Sequence, residues 1–129
     1  MITSGLVNVF THDIRTSLAF YQDVLGLPET FRTPTEGTPE HVEMSAGGFT
    51  LAISTAEAAR RVHGLDAEVG RAAMTLVFWV DDVDGTFAAV TTSGAPVVTA
   101  PHDTGNDNRN AVVRDPDGTL VELVAKRSA

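Results

Sequence analysis

Residues 6–28 read LVNVFTHDIRTSLAFYQDVLGLP, and their pattern decides the fold. Leu6 to Phe10 is a short apolar run rich in β-formers, which predicts a strand. Thr11, His12 and Asp13 interrupt it, and Thr11 or Asp13 has the side chain to cap a helix. Beyond the break, Ile14, Leu18, Tyr21, Val24 and Leu25 fall on one face at helical period. Gly26 stands where a helix C-cap glycine belongs, and Pro28 blocks continuation. Working outward, strands are expected at 29–33, 40–45 and 49–54, with Gly47-Gly48 turning between the last two. The stretch TAEAARRVH at 55–63 predicts a short connecting helix.

Residues 64–72 read as a linker, and the same grammar then restarts. Met74 to Val80 predicts a strand, Asp81-Asp82 a break and cap, and Val83, Phe87, Val90 and Thr91 a second helical stripe ended by Gly94 and Pro96. Strands are expected at 97–100, 111–115 and 119–125, and Asp117-Gly118 is a hairpin signal. The repeat has a register. Aligning Asp13 with Asp82 brings Ile14 onto Val83, Leu18 onto Phe87 and Ala19 onto Ala88. One residue further in offset, GFTLAI at 48–53 falls on GTLVEL at 118–123. The fold class is therefore α+β, one domain of two tandem strand–helix–strands modules, about 1–63 and 73–129. One such module cannot bury a helix and a curved sheet alone. Two modules, with helices outside, form a curved mixed sheet around a cleft, and such concave surfaces bind small ligands.

Composition bounds the chemistry. With 129 residues, 43% hydrophobic and 20% charged, the chain has the makings of a core without staples. It has no cysteine, which excludes disulfides, thiolate catalysis and iron–sulfur ligation. The N-terminus lacks the pattern of a signal peptide, and no apolar run nears the ~20 residues of a membrane span. A cytoplasmic protein is the expectation. A net charge of −8 argues against a nucleic-acid partner and suits a cationic small molecule.

Three segments now carry a resemblance. SLAFYQDVLGL at 17–27, FWVDDVD at 78–84 and VVRDPDGTLVEL at 112–123 resemble the vicinal oxygen chelate superfamily, which includes glyoxalase I, ring-cleaving dioxygenases, fosfomycin-resistance enzymes and bleomycin-resistance proteins. The resemblance covers essentially the whole chain and implies paired βαβββ modules. It also implies four matched strand positions where the metalloenzymes hold a divalent ion with His, Gln or Glu. Those positions are Leu6, Ala52, Thr75 and Glu122 here, and only Glu122 is a competent ligand. His41 and Glu43, two residues apart on one strand, are the nearest substitutes among His12, His41, His63 and His102.

The expectation is thus a cleft working without metal, cofactor or catalytic residues, as in the resistance proteins that resemble this chain and lack the ligands. It would bind a small aromatic or cationic organic molecule, with antibiotic sequestration as one role; a lyase, isomerase or dioxygenase is the alternative. The candidate ligand-binding residues are Asn8, Phe31, Thr75, Trp79 and Glu122. Trp79, the only tryptophan, shares a strand face with Thr75 and offers a stacking platform. Phe31 is a candidate opposing wall. Asn8 is an amide among apolar neighbours that needs a partner if buried. Glu122 lies between Leu120, Val121, Leu123 and Val124, so its carboxylate needs protonation, a partner such as Arg114, or a cationic ligand. The polar loop HDTGNDNRN at 102–110 is placed to close over a ligand. The resemblance further implies a homodimer, which an exposed sheet edge also favours.

Overall fold

A computed structural model describes residues 1–105 and 107–127. The chain divides into two compact units, Met1–Gly70 and Arg71–Ala129, and the division falls inside the stretch 64–72. Unit one runs β1 (Val7–Thr11), α1 (Ile14–Leu18), a π-helical continuation (Ala19–Val24), β2 (Glu29–Thr33), β3 (His41–Ser45), β4 (Thr50–Thr55) and α2 (Ala56–His63). Unit two runs β5 (Thr75–Trp79), α3 (Val83–Thr92), β6 (Val97–Asp103), β7 (Asn108–Arg114) and β8 (Leu120–Lys126). Each unit folds one four-stranded mixed sheet, ordered β1-β4-β3-β2 and β5-β8-β7-β6, and neither closes into a barrel. In both sheets the first strand lies parallel to the last and the remaining pairs are antiparallel. This is the expected α+β repeat.

The two breaks fold alike because their caps are alike. The Asp13 carboxylate accepts from Thr16 N–H and, at 2.8 Å, from the Thr16 hydroxyl. The Asp82 carboxylate accepts from Gly85 N–H at 3.1 Å. A Cβ at Gly85 would come within 2.5 Å of Asp82 Oδ2, so a larger residue there would require the Asp82 carboxylate to shift. At the far ends Gly26 and Gly94 take φ of 75° and 102°, a region closed to most side chains.

The expected first stripe is shifted. Leu25 N–H donates to Phe20 O, five residues back, and this wider turn buries Phe20 and Tyr21 while Val24 and Leu25 are half-buried. Under the helix Val42, Met44, Leu51 and Ile53 are wholly buried. Burial of such side chains contributes roughly 1.5–3 kcal/mol each to the cohesion of unit one. Unit two buries Leu76, Phe78, Val113, Val121 and Leu123 on the corresponding face.

Strand limits moved most in the second unit. β6 runs on to Asp103 and β7 starts at Asn108, with Thr104 N–H donating to Asn108 O at 2.9 Å. The polar stretch expected to close over a ligand is therefore mostly paired hairpin, and its position 106 lies outside the described residues. The Asp115–Thr119 turn is tied by the buried Asp115 carboxylate, which accepts from Asp117 and Thr119 N–H at 2.9 and 2.8 Å. Among the described residues no helix is long and apolar enough to cross a membrane.

Candidate functional site

Strand alternation sends half of each sheet away from the helix that covers its core face. In unit one the other face carries Asn8 and Phe10 on β1, Ala52 and Ser54 on β4, His41 and Glu43 on β3, and Phe31 and Thr33 on β2. The register pairs Asn8 with Ala52, Phe10 and His41 with Ser54, Glu43 with Ala52, and Phe31 with Glu43. Helix α2 and the residues after it roof part of this face. Thr55 caps α2 by accepting from Ala58 N–H at 3.1 Å, and Arg61 reaches back to the Glu40 carboxylate just before β3. A chamber of about 430 Å³ lies between sheet and roof. Its sheet wall presents Asn8, Phe10, His41 and Ser54; its roof presents Ala58, Val62, His63 and Leu65.

The sheet wall holds a continuous hydrogen-bonded array. Glu43 Oε2 lies 2.8 Å from His41 Nε2, and His41 Nδ1 lies 2.7 Å from Ser54 Oγ. The Ser54 hydroxyl in turn donates to Asn8 Oδ1 at 3.0 Å. Phe31 packs edge-on against His41 with ring centroids 6.2 Å apart. The order Ser–His–carboxylate is that of a nucleophile, its base and the acid that orients the base. Acyl transfer also needs N–H donors aimed at a developing oxyanion. β4 lies between β1 and β3, so the backbone N–H groups beside Ser54 are committed to the two ladders. The array is a polar wall suited to recognition.

Charges around the chamber are compensated locally. Glu40 and, at 3.7 Å, Glu57 flank Arg61, and the hydrogen bond to Glu40 holds the guanidinium above its ordinary pKa. Outside the chamber, hydrogen bonds from Arg32 depress the Glu29 carboxyl to about 2.

In unit two, Thr75, Val77 and Trp79 share one exposed face of β5, and Val77 pairs with Glu122 on β8. Trp79 is 62% exposed and does not fill the core; Lys126 Nζ lies 5.8 Å from its ring centroid. Glu122 is half-buried and accepts from Asn110 Nδ2 at 2.9 Å. Arg114, the partner considered from sequence, instead donates to Gly118 O at 2.7 Å. Thus Asn8 and Phe31 share one face of unit one, and Thr75, Trp79 and Glu122 share one face of unit two. Asn8 lines the chamber; its amide is exposed and needs no rescue by burial.

Sequence reasoning missed Ser54 and the roof. Alternation from Ala52 is the one sequence signal that pointed to Ser54; its place opposite His41 emerges only in the folded register. The roof was not, because α2 read only as a connection. His41 and Glu43 do not sit on a sheet edge: β3 is an interior strand.

The residues at the four metal positions do not fit a divalent ion. Leu6 and Ala52 have no donor atom, and Ala52 is fully buried beside Asn8 and Glu43. The His41–Glu43 pair supplies two donors, already bonded to each other, whereas a catalytic ion takes three protein ligands. Among the described residues no group of three or more His, Asp or Glu is placed to hold a metal.

Over 123 residues the chain is 28% identical to the uncharacterized protein YraH of Bacillus subtilis (strain 168), covering 91% of this chain and 93% of that protein. A solved glyoxalase/bleomycin resistance protein/dioxygenase family enzyme from Burkholderia phytofirmans PsJN is 26% identical with a TM-score of 0.78, covering 94% of this chain and 96% of that one. TnmS3, an antibiotic binding protein from Streptomyces sp. CB03234, is 20% identical with a TM-score of 0.71, covering 98% of this chain and 97% of that one. The family model of the Glyoxalase/Bleomycin resistance protein/Dioxygenase superfamily matches residues 4–123. With that match spanning both repeats, and with two βαβββ units folded as the repeat requires, the chain belongs to the glyoxalase/bleomycin resistance protein/dioxygenase superfamily.

Proposed function

We propose that this protein binds a small, partly aromatic organic molecule without a metal, and that the chamber of unit one seats it. The observation that carries the reading is the chamber itself. Its volume of about 430 Å³ falls within the ~300–1,000 Å³ of small-molecule sites. It sets an apolar roof against a wall with a few convergent polar groups, the usual division between affinity and orientation. Its charges are internally paired, which favours an uncharged aromatic ligand over a cation there. The likeness of fold to the antibiotic-binding TnmS3 supports sequestration of an antibiotic as the role. A metal-dependent lyase, isomerase or dioxygenase finds no support in Leu6, Ala52 and Thr75.

The exposed face of Thr75, Trp79 and Glu122 is a second candidate wall, suited to stacking and to a cationic group. The protein is further read as a cytoplasmic homodimer. A thermal-shift screen of aromatic compounds against chelator-treated protein tests the central reading, because a ligand that binds the native state raises its melting temperature. Hits that keep their shift without metal and lose it when Ala58 is replaced by Phe support the chamber. Hits that appear only on adding a divalent ion overturn it.

A further inference from the structure

The polar wall links its proton positions to one another. Ser54 has one hydroxyl proton, and in the first of two arrangements it goes to Asn8 Oδ1. The 2.7 Å link between Ser54 Oγ and His41 Nδ1 must then use a proton on the imidazole. The 2.8 Å link to Glu43 also needs an imidazole proton, because a carboxylate only accepts. In that arrangement both ring nitrogens donate, and the array is an imidazolium between a carboxylate and a hydroxyl.

A neutral His41 has one proton fewer. Nε2–H stays with the Glu43 carboxylate, and a bare Nδ1 accepts from Ser54. The Ser54 hydroxyl can no longer donate to Asn8. The contact survives only if the Asn8 amide turns over and donates an N–H to Ser54 Oγ. Amide oxygen and nitrogen are nearly equal in size, so the turn costs little in packing.

Asn8 lines the chamber, so the turn changes what a ligand meets there. With His41 charged, the amide nitrogen is free to donate; with His41 neutral, the amide oxygen is free to accept. Resting on the reading of the chamber as a ligand site, we infer that Asn8 reads the ligand's polar group: it takes a carbonyl-type oxygen, with proton uptake at His41, and rejects that oxygen once His41 is neutral.

The groups around His41 are consistent with this role. Glu43 lies on its own strand, Ser54 on β4 and the uncharged Phe31 ring on β2. Glu40, Arg61 and His63 line the same chamber, with Arg61 engaged by Glu40.

The test is NMR on the whole chain, ¹⁵N-labelled, between about pH 5 and 8, where imidazoles change charge. The His41 ring nitrogens and the Asn8 side-chain amide are followed together. The Asn8 amide is expected to titrate with the midpoint of His41, and Ser54→Ala is expected to abolish the Asn8 titration while His41 still titrates. An Asn8 amide that ignores His41, or follows it equally well in S54A, overturns the inference. A second arm uses two probes of like shape, 1-tetralone with an acceptor oxygen and 1-naphthol with a hydroxyl donor. One hydrogen bond gained or lost is worth about fivefold in affinity. Tetralone should therefore weaken by about that factor as the pH rises, and naphthol should not. Equal pH dependence for both overturns the inference. Binding of neither counts against the chamber as a ligand site, while the amide titration still decides the Asn8 turn.

Discussion

Replacing Ser54 by Ala removes one oxygen atom and breaks the polar wall at its centre. Ser54 is 7% exposed, and its Oγ makes two hydrogen bonds, at 2.7 Å to His41 and 3.0 Å to Asn8. Each such bond contributes roughly 0.5–1.5 kcal/mol net, so together they set a ceiling of about 3 kcal/mol. Both partners border the chamber, where water can replace the lost group, so the expected cost is about 1–2 kcal/mol. The chain offers a convenient assay. Its one tyrosine, Tyr21, is buried in unit one, and its one tryptophan, Trp79, lies in unit two. In urea unfolding, the near-ultraviolet signal of Tyr21 should report the full loss in S54A. A change below about 0.3 kcal/mol would refute the idea that the array is cohesive, since that is within the error of surface substitutions. A loss seen by Trp79 and not by Tyr21 would refute its placement in unit one.

Other expectations follow from single contacts. Glu29, with its pKa depressed to about 2 against an unperturbed 4.5, adds stability that is fully present above pH 4.5 and is lost as pH falls toward 2. Because the Glu29–Arg32 pair is solvent-accessible, its worth is about 0.5–1 kcal/mol, and Arg32→Leu should erase that acid-side slope in pH-dependent unfolding. Trp79→Ala should weaken a flat aromatic ligand by roughly 1–3 kcal/mol if the unit-two face takes part, with Glu122→Gln weakening cations selectively; calorimetry showing no change in either variant would remove that face from the site. Light scattering at micromolar concentration should give the mass of two chains, and a monomer would remove the dimer from the account.

Much of this fold was legible because each level of the sequence agrees with the next. Asp13 and Asp82 cap, Gly26 and Gly94 stop, and alternation fixes which face of each strand is buried. Where reading failed, tertiary structure had overridden local pattern. The expected Ile14, Leu18 and Tyr21 are buried, but the π-helical turn after Leu18 adds Phe20 and leaves Val24 and Leu25 half-buried, which a fixed helical period cannot foresee. Polar residues at 102–110 read as a loop, yet pairing of Asp103 with Arg109 extends the hairpin through them. Of the site, the inward faces of β1 and β3 were legible from alternation, so Asn8, His41 and Glu43 stood out. Ser54 did not, because its partners lie on other strands: Asn8 is 46 residues away in sequence. The roof needed Arg61 to meet Glu40, a contact that no local pattern encodes.

The central claim is that the chamber of unit one binds a small organic molecule without a metal. Its most direct test is to take the strongest hit from the thermal-shift screen and map its contacts by NMR on chelator-treated, ¹⁵N-labelled protein. The account predicts saturable shifts concentrated at Asn8, Phe10, Ser54 and Val62, lost in Ala58→Phe. Saturable shifts that leave those four residues untouched, or that arise only after a divalent ion is added, would contradict it.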